Sequence, residues 1–471
     1  MSAALADSAP ALTRRWWVLG VMVAAQFMFV VDAFIVNVAI PSIRSDLHAG
    51  SGAVQAVISL YQIAYAALVI TGGRLGDIHG RKRVFLAGLV GFTTASLACG
   101  AAATPEALVL ARIAQGASAA LMSPQVLATI HTLFTGTDRA KAFGLFGVAL
   151  GLGGGAGFVL GGWLITLDLA GTGWRMIFFV NGPVGLAIAA AAWRLMPDTR
   201  PQPGLRLDVA GAVLLFLALA LLIGPVLVGQ DTGWPWPLLL VAALGLALLA
   251  AFIRHEARVA QRGGLPLIDL DLLRDAVFRR GLIAAAFLFG GNISFYLLVT
   301  LYLQGGLGAS PLQSGLCMLP LALAFVVASR RGAAQVARHG PSALIRGCGV
   351  QLAGLAVVAL VVIATPAPPL PALALALAVF GAGQGLVMAP LFGTILGGVR
   401  HAHAGAGAGI LTTAQQVANG AGVAVLGAVY GLVQAAGGDR IALLAGLALL
   451  ADAVLATAAA LWVMRRAGTS G

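Results

Sequence analysis

Apolar runs of about twenty residues recur from one end of the chain to the other, and they limit its fold more than any other feature. A helix of about 20 residues crosses the hydrocarbon core of a bilayer. Of the 471 residues, 60% are hydrophobic and only 9% are charged, whereas a soluble domain carries about 25% charged residues. We therefore predict an all-α integral membrane protein, in a lipid bilayer, with no large soluble domain.

The runs divide into about fourteen spans, and the charged residues support that count. The predicted spans are 16–41, 51–72, 84–103, 106–130, 142–166, 174–195, 208–229, 236–253, 281–303, 312–329, 343–364, 371–396, 405–433 and 441–463. With both termini in the cytoplasm, only Arg44, Arg175 and Arg440 of the 28 Lys and Arg residues lie outside, and Arg112 lies within a span. Lys and Arg are enriched in cytoplasmic loops, so the net charge of +12 indicates orientation in the cytoplasmic (inner) membrane and not nucleic-acid binding.

A long polar stretch at 254–280 and a weak internal repeat divide the chain. The loop TGGRLGDIHGRKRVF after the second span and SRRGAAQVARHGPSAL after the tenth align at Gly80 and Gly340. Related halves joined side by side are typical of one large class of transporter. We predict an N-terminal six-helix bundle at 1–200, two extra transmembrane helices at 201–256, a cytoplasmic loop at 257–280 and a C-terminal six-helix bundle at 281–471.

The loop GGRLGDIHGRKR is the most specific motif in the chain. It resembles the loop between the second and third spans of the major facilitator superfamily, with Gly73, Asp77, Gly80, Arg81 and Lys82 at matching positions. Glycines let two helices approach and let the loop turn tightly, and Asp77 can pair with a basic residue such as Arg81. The resemblance implies a gating loop that latches the cytoplasmic side in the outward-facing state. It also implies the major facilitator fold, here with two inserted helices.

One acidic side chain, Asp32, lies inside the first apolar run, FMFVVDAFIVNVAIP. A charged side chain in hydrocarbon is costly, and burial disfavours the ionised form of a carboxyl. The run resembles the first span of the fourteen-helix drug:proton antiporters, where Asp, Asn and Pro stand as Asp32, Asn37 and Pro41 do here. The resemblance implies that Asp32 exchanges protons; the alternative is a structural carboxyl paired within the bundle. A Thr common in that family is replaced by Phe34.

Arg112, in LVLARIAQGASAALMSP, resembles the fourth-span signature of the same family, with Gln115 and Gly116 in register. A buried Arg needs an acceptor, and the family's geometry makes Asp32 the expected one. Arg112 would then relay protons or tune Asp32, or form a fixed structural ion pair with it. Asp452, in the last span, is the other clearly intramembrane acid, and we expect it to pair locally.

The fifth span, GLFGVALGLGGGAGFVLGGWL, has small residues four apart, which permit close helix packing. It resembles the antiporter signature of the superfamily through Gly153, Gly157, Gly161 and Gly162. The proline of that signature is replaced by Phe158. Because proline bends a helix, we predict a softer fifth helix, whose bend is absent or is produced by glycines. No GxxxxGK motif is present in the sequence, so a phosphate-binding loop is not predicted.

Polar residues in further family-like stretches are expected on helix faces, where they would form interhelical hydrogen bonds or line a central cavity. The cavity candidates are Asn37, Gln115, Asn181, Gln304 and Gln415. The three cysteines lie in apolar runs, and the closest histidine pair, His401 and His403, lacks further ligands. We therefore expect no disulfide, no metal site and no cofactor.

These features predict a transporter and not an enzyme. The favoured function is proton-coupled export (antiport) of small amphipathic drugs or metabolites across the cytoplasmic membrane by alternating access. The alternatives are an importer or uniporter of a small solute on the same fold, and a non-transporting membrane receptor. The expected partners are a small-molecule substrate, protons and the lipid bilayer, with no nucleic acid, and the chain is expected to be a monomer. Because the first ten spans hold few acids besides Asp32, a neutral, monocationic or anionic substrate is favoured over a dicationic one.

Overall fold

The structure is a computed structural model, and it describes residues 8–198, 207–264, 266–397 and 404–468. Throughout these ranges the regular structure is helical, without a β-strand. This is the expected result for a chain in lipid, because a helix satisfies its backbone polar groups within one segment. In the same ranges, twelve helices are long and apolar enough to cross a membrane. The predicted all-α, multi-pass membrane protein is therefore confirmed.

The first part of the chain forms six long helices. Their bounds are Ser8–Asp46 (α1), Ser51–His79 (α2), Arg81–Gly100 (α3), Pro105–Leu133 (α4), Gly136–Leu167 (α5) and Asn181–Leu195 (α6). The ends follow from local chemistry. The Thr104 side chain accepts the Ala107 N–H at 3.2 Å and so caps α4. At Gly80, which separates α2 from α3, φ is 92°, a conformation that glycine adopts far more readily than other residues.

The second part begins with a helix pair and continues with further long helices. Their bounds are Val209–Thr232 (α7), Pro237–Gln261 (α8), Ala276–Leu301 (α9), Pro311–His339 (α10), Ser342–Ala364 (α11) and Leu370–Leu396 (α12). The last helical stretch, Ala404–Gly468, breaks at Gly438, where φ is 80° and ψ is 173°. We number its two parts α13 (404–437) and α14 (439–468).

The number of spans is close to the predicted one. Ala406–Met464 is one of the twelve apolar helices of the described ranges, although Gly438 divides it, and α4 is not among the twelve. Counting both parts of the divided helix and adding α4 gives the fourteen long helices numbered above. Whether each of them crosses the bilayer stays a prediction.

The helices pack as two groups that meet along two helix pairs. In the first group α1 packs on α5, and α4 packs on α2 and α3; in the second, α9 packs on the last helical stretch and α12 packs on α10 and α11. Between the groups, α5 packs on α10 and α2 packs on α13. We call this boundary between the two helix groups the seam. The inserted pair α7 and α8 lies beside the seam, because α7 packs on both α2 and the last helical stretch. The predicted domain boundary at residues 200 and 201 falls outside the described residues.

Candidate functional site

Asp32 and Arg112 form an ion pair in the interior of the first helix group. Arg112 Nη1 donates to Asp32 Oδ2 at 2.7 Å. Asp32 is 0% exposed and Arg112 is 1% exposed, so neither side chain reaches solvent or lipid in this conformation. The structure therefore brings together the two residues that the sequence analysis expected to meet.

Two amide side chains complete the contacts of the Asp32 carboxylate. Gln115 Nε2 and Asn181 Nδ2 each donate to Asp32 Oδ1 at 2.9 Å. Arg112 Nη1 also donates to Gln115 Oε1 at 2.7 Å. Every contact uses Asp32 as an acceptor, which suits an ionised carboxylate because that group only accepts hydrogen bonds. Gln115 and Asn181 were predicted as cavity residues, and the structure places both of them on Asp32.

Three helices beyond the ion pair hold it in position. Arg112 Nε donates to the Val57 carbonyl at 3.1 Å, and the guanidinium carbon lies 3.9 Å from the centre of the Tyr61 ring, both on α2. Asn181 also donates to Ser96 Oγ at 2.9 Å, which links α6 to α3. Sequence reasoning missed Tyr61 and Ser96. Their role depends on how α2 and α3 are rotated against α4 and α6, and the hydroxyl of Ser96 within an apolar run was the only available signal.

Gly73 and Asp77 of the predicted gating loop lie in the last turns of α2, and Arg81 and Lys82 begin α3, with only Gly80 between the two helices. Arg81 Nη2 is 3.3 Å from Asp77 Oδ1, and Arg81 Nη1 donates to the Ala128 carbonyl at 2.9 Å. The expected partner of Asp77 is therefore the observed one. Gly73 faces Pro124, where an added Cβ would have ordinary contact at 3.7 Å. Lys82 is 3.7 Å from Asp198, whose side chain is 84% exposed, so this second ion pair contributes little.

The glycines of α5 allow close contact with two neighbouring helices. A Cβ at Gly157 would lie 2.9 Å from the Val31 carbonyl oxygen, and a Cβ at Gly161 would lie 2.8 Å from Ile35. Gly153 packs on Val30 in the same way. On the other side of α5, a Cβ at Gly162 would lie 2.4 Å from the Pro311 carbonyl oxygen of α10. The small residues therefore bring α5 close to α1 and, across the seam, to α10.

Phe158 contributes an aromatic contact across the seam. The centre of its ring lies 5.6 Å from the ring centre of Phe34 and 5.3 Å from that of Tyr296 on α9. The ring centres of Phe34 and Tyr296 are 5.5 Å apart. Phe158 is 1% exposed, and it lies within the uninterrupted helix Gly136–Leu167. The two positions at which the sequence departs from the family pattern, Phe34 and Phe158, are thus in direct contact. We call Phe34, Phe158 and Tyr296 the aromatic triad.

The remaining cavity candidates have different surroundings. Gln304 Nε2 donates across the seam to the Val38 carbonyl at 2.9 Å, from a short π-helix, Tyr302–Gly306, that continues α9. Asn37 is 0% exposed and donates only to carbonyls of its own helix, at 3.2 and 3.4 Å. Gln415 is half-buried on α13, whereas its neighbour Gln416 donates across the seam to Gln62 Oε1 at 2.7 Å.

Two further expectations have other outcomes. Asp452 is exposed on α14 and forms no ion pair with a described residue. The expected local partner is therefore missing from the described ranges. The histidine pair His401 and His403 lies outside the described residues.

The family of the chain follows from its match to a sequence-family model. The model of the Major Facilitator Superfamily matches residues 22–216 and 206–423. The chain belongs to the major facilitator superfamily. This assignment confirms the resemblance read from the gating loop and from the first, fourth and fifth spans. It also confirms that the chain belongs with transporters and not with enzymes.

Curated members of the superfamily are similar over most of the chain. A protein of Streptomyces coelicolor named "Probable actinorhodin transporter" is 41% identical over 424 residues, which cover 89% of this chain and 73% of that protein. "Puromycin resistance protein pur8" of Streptomyces alboniger is 37% identical and covers 88% of this chain and 82% of its own length. "Cephamycin export protein CmcT" of Amycolatopsis lactamdurans is 34% identical, with 86% and 83% coverage.

Solved structures share the fold of this superfamily member at low sequence identity. A bacterial homolog of the human lysosomal transporter Spinster, in an inward-facing and unoccupied conformation, superposes with a TM-score of 0.69 at 14% identity. The alignment covers 96% of this chain and 98% of that one. A D-xylose–proton symporter superposes with a TM-score of 0.65 at 14% identity. These similarities show the major facilitator fold and no more.

Proposed function

We propose that this chain exports small amphipathic antibiotics or metabolites from the cell in exchange for protons. The observation that carries the proposal is the buried Asp32–Arg112 pair, at 2.7 Å and 0% and 1% exposure, in a superfamily member whose relatives bear the names of antibiotic exporters. A carboxylate held inside a transporter bundle is suited to proton coupling. The chain therefore carries a small molecule, and the proton gradient drives it.

In this mechanism a proton and Arg112 compete for Asp32. In the present conformation Arg112 and two amides occupy both carboxylate oxygens, and the site is closed to water. Opening of the seam would admit a proton to Asp32 and free Arg112. Release of the proton on the other side would restore the ion pair. Because protonation removes the charge that holds α1 to α4, it would shift the equilibrium between the two open states.

The substrate class is inferred from the relatives and from the charge of the site. Proteins similar to this chain carry the names of actinorhodin, puromycin, cephamycin and tetracenomycin C. Antibiotic-sized organic molecules are thus the best candidates. Asp32 is already neutralised by Arg112, so it offers no free charge to a cation in this conformation. This agrees with a neutral, monocationic or anionic substrate.

The proposed setting is the cytoplasmic membrane of a bacterium, with both termini cytoplasmic and the chain acting as a monomer. The bias of Lys and Arg toward one set of loops supports this orientation. Two six-helix bundles, 1–200 and 281–471, would move against each other around the seam. The inserted helix pair, which lies at the side of the seam, would move together with them.

An antibiotic-susceptibility panel in a pump-deficient bacterial host tests the function. We expect cells that express the chain to survive higher concentrations of at least one antibiotic of the relatives' classes. They should also accumulate less of it, and an uncoupler of the proton gradient should restore accumulation. Increased accumulation would favour the importer, and uncoupler-insensitive movement would favour the uniporter. Unchanged accumulation for every compound, with the protein verified in the membrane, would favour the non-transporting receptor.

A further inference from the structure

The inserted helix pair carries a cluster of ionisable side chains that has no part in the Asp32 site. The cluster lies where α7 begins and where α8 approaches its end, beside the loop that follows α8. Side-chain nitrogen or oxygen atoms of Asp208, His255 and Glu256 lie within 4.8 Å of one another. Glu256 is 0% exposed, which is rare for an acidic residue unless it is paired.

Two carboxyl oxygens of the cluster have no N–H or hydroxyl donor. Asp208 Oδ1 accepts from Gly211 N–H at 2.8 Å and from His255 Nε2 at 2.7 Å, and Glu256 Oε2 accepts from Ile268 N–H at 2.9 Å. The other two oxygens, Asp208 Oδ2 and Glu256 Oε1, are buried without such a donor. A Cβ built on Gly211 would lie 2.6 Å from the first and 2.7 Å from the second. The two oxygens therefore lie on the same side of Gly211, and there the two carboxyl groups face each other.

A hydrogen bond between two carboxyl groups requires a proton. Ionised carboxylates only accept hydrogen bonds, and two adjacent buried carboxylates strongly disfavour the simultaneous ionisation of both. Arg74 of α2 is a cation whose charge acts on both groups. One proton and Arg74 together balance the two carboxyl charges, whereas a divalent cation in place of the proton would leave one positive charge in excess.

The two acids differ in their surroundings, which indicates where the proton resides. Asp208 Oδ1 accepts hydrogen bonds from Gly211 and His255, and these contacts favour the ionised form of Asp208. Glu256 is wholly buried, its Oε2 accepts the Ile268 N–H, and its other oxygen faces Asp208. We propose that Glu256 holds a single proton, donates it to Asp208 Oδ2, and thereby fastens the loop after α8 to the inserted helix pair.

This proton would control how the loop is attached. Ile268 N–H binds Glu256, and two residues earlier the Pro266 carbonyl accepts a hydrogen bond from Arg74, which follows Gly73 of the gating loop. When the proton leaves, two facing carboxylates repel and Glu256 moves away from Asp208. The attachment is thus present at low pH and weakens as pH rises.

Hydrogen–deuterium exchange of the loop 266–275 tests the proposal in the full-length protein in detergent. After correction for intrinsic exchange rates, we expect wild-type protection to fall severalfold as pH rises. Glu256→Gln should keep this protection at every pH, because its amide donates to Asp208 while its oxygen accepts from Ile268. Asp271→Asn is the matched control. Asp271 is exposed on the same loop and pairs with Arg274 at 2.7 Å, so this variant should keep the wild-type pH profile.

Three results would overturn the proposal. The first is wild-type protection that does not change with pH, which decides the matter even when the variant fails to fold. The second is loss of protection in Glu256→Gln at every pH, which would mean that an ionised carboxylate is required. The third comes from added Zn²⁺: protection restored at high pH in the wild type, but not in Glu256→Gln, would show that the cluster takes a cation in place of a proton.

Discussion

At the scale of single residues, the contacts of Asp32 explain why an acid is kept inside an apolar span. Three side chains donate to it, and Arg112 brings the opposite charge. That each of these two ionisable groups has a partner could be predicted, because a charge in hydrocarbon requires one, and their pairing with each other was expected from the family resemblance. The contact of Asn181 with the same carboxylate could not be predicted. It depends on the rotation of α6 against α1, which a helix with apolar residues on all sides does not encode.

Asp32→Asn should abolish gradient-driven transport and leave folding intact. An amide keeps the shape of the side chain but cannot exchange a proton, and it removes the charge that attracts Arg112. We expect flux into proteoliposomes under an imposed pH gradient to fall to background. Asp46→Asn is the matched control, since Asp46 lies on the same helix and pairs with Arg175 at its exposed end, at 2.5 Å. Wild-type flux in Asp32→Asn would refute the coupling role.

Arg112→Lys gives a second measurement at the same site. Lysine keeps the charge, but it cannot donate to Asp32, Gln115 and the Val57 carbonyl with one planar group. Removal of one partner of a buried ion pair destabilises a protein by about 3–5 kcal/mol. Because Arg112→Lys keeps the positive charge, we expect its loss of stability to be smaller than that. Transport should fall more than stability does. Equal, small losses in both would indicate a fixed structural ion pair and not a tuning residue.

At the scale of helices, the gating loop and α5 show what motifs predict and what they leave open. The pairing of Asp77 with Arg81, at 3.3 Å, could be predicted because the two residues lie four apart at a helix junction. The close contacts of Gly157 and Gly162 could be predicted as packing, but which face of α5 meets α1 and which meets α10 could not. Small residues lie on both faces of α5, so their spacing does not distinguish the two neighbours.

Arg81→Ala should impair the transport cycle without changing substrate affinity. Arg81 connects Asp77 of α2 to the Ala128 carbonyl of α4, at 2.9 Å for the latter contact, and so it acts on the balance between conformations. We expect a several-fold lower flux with substrate binding near the wild-type value in a conformationally locked protein. Lys82→Gln, which removes only the exposed pair with Asp198, is the control and should stay close to wild type. A large loss of intrinsic affinity in Arg81→Ala would place the loop in the binding site.

The contact within the aromatic triad allows a prediction about Phe34 and Phe158, the two residues that depart from the family pattern. Phe158→Pro removes a buried ring and a backbone N–H from an intact helix, so alone it should lower stability by at least about 3 kcal/mol. Phe34→Thr should also be destabilising. Because the rings are in contact, at 5.6 Å, the double variant should lose less than the sum of the single losses. The measurement is a double-mutant cycle of thermal stability and flux.

A second cycle controls for general effects of lost rings. Phe92 is 0% exposed and belongs to a different core cluster from Phe158, so Phe92→Leu combined with Phe158→Pro should be additive. Additivity of Phe34→Thr with Phe158→Pro would show that the two departures are independent. The softer fifth helix predicted from the missing proline stays a prediction. Its expected consequence is a leak of protons, which can be measured in substrate-free liposomes.

At the scale of the whole molecule, the seam between the two helix groups is made by few elements. Gln304 and the aromatic triad join α9 to α1 and α5, and Gln416 joins α13 to α2. The number of long helices could be predicted from the apolar runs, and the division of the chain into two bundles with an inserted pair stays a prediction. The seam itself could not, because it depends on how two bundles face each other. The side chains that cross it are aliphatic, neutral polar or aromatic residues without a distinctive spacing.

The topology can be tested by cysteine labelling in intact cells. The three native cysteines are buried, at 0% to 4% exposure, so their background is low. Gly233 and Gly263 mark the two loops of interest, but their φ values of 78° and 71° would strain a cysteine. The neighbouring exposed residues Thr232 and Gln261 avoid that strain. With both termini cytoplasmic, Thr232→Cys should react with a membrane-impermeant maleimide added outside, because it ends α7 on the outer side.

Gln261→Cys ends α8 and should react only after the membrane is permeabilised. One helix separates the two positions, so they must lie on opposite sides if α8 crosses the bilayer. Labelling of both from outside would mean that α8 does not span. The reverse labelling pattern would mean that the protein has the opposite orientation in the membrane. The Lys- and Arg-rich loops would then lie outside, although Lys and Arg are enriched in cytoplasmic loops. The expected pattern would place the Asp208–Glu256 pair at the cytoplasmic face, where the internal pH sets its protonation.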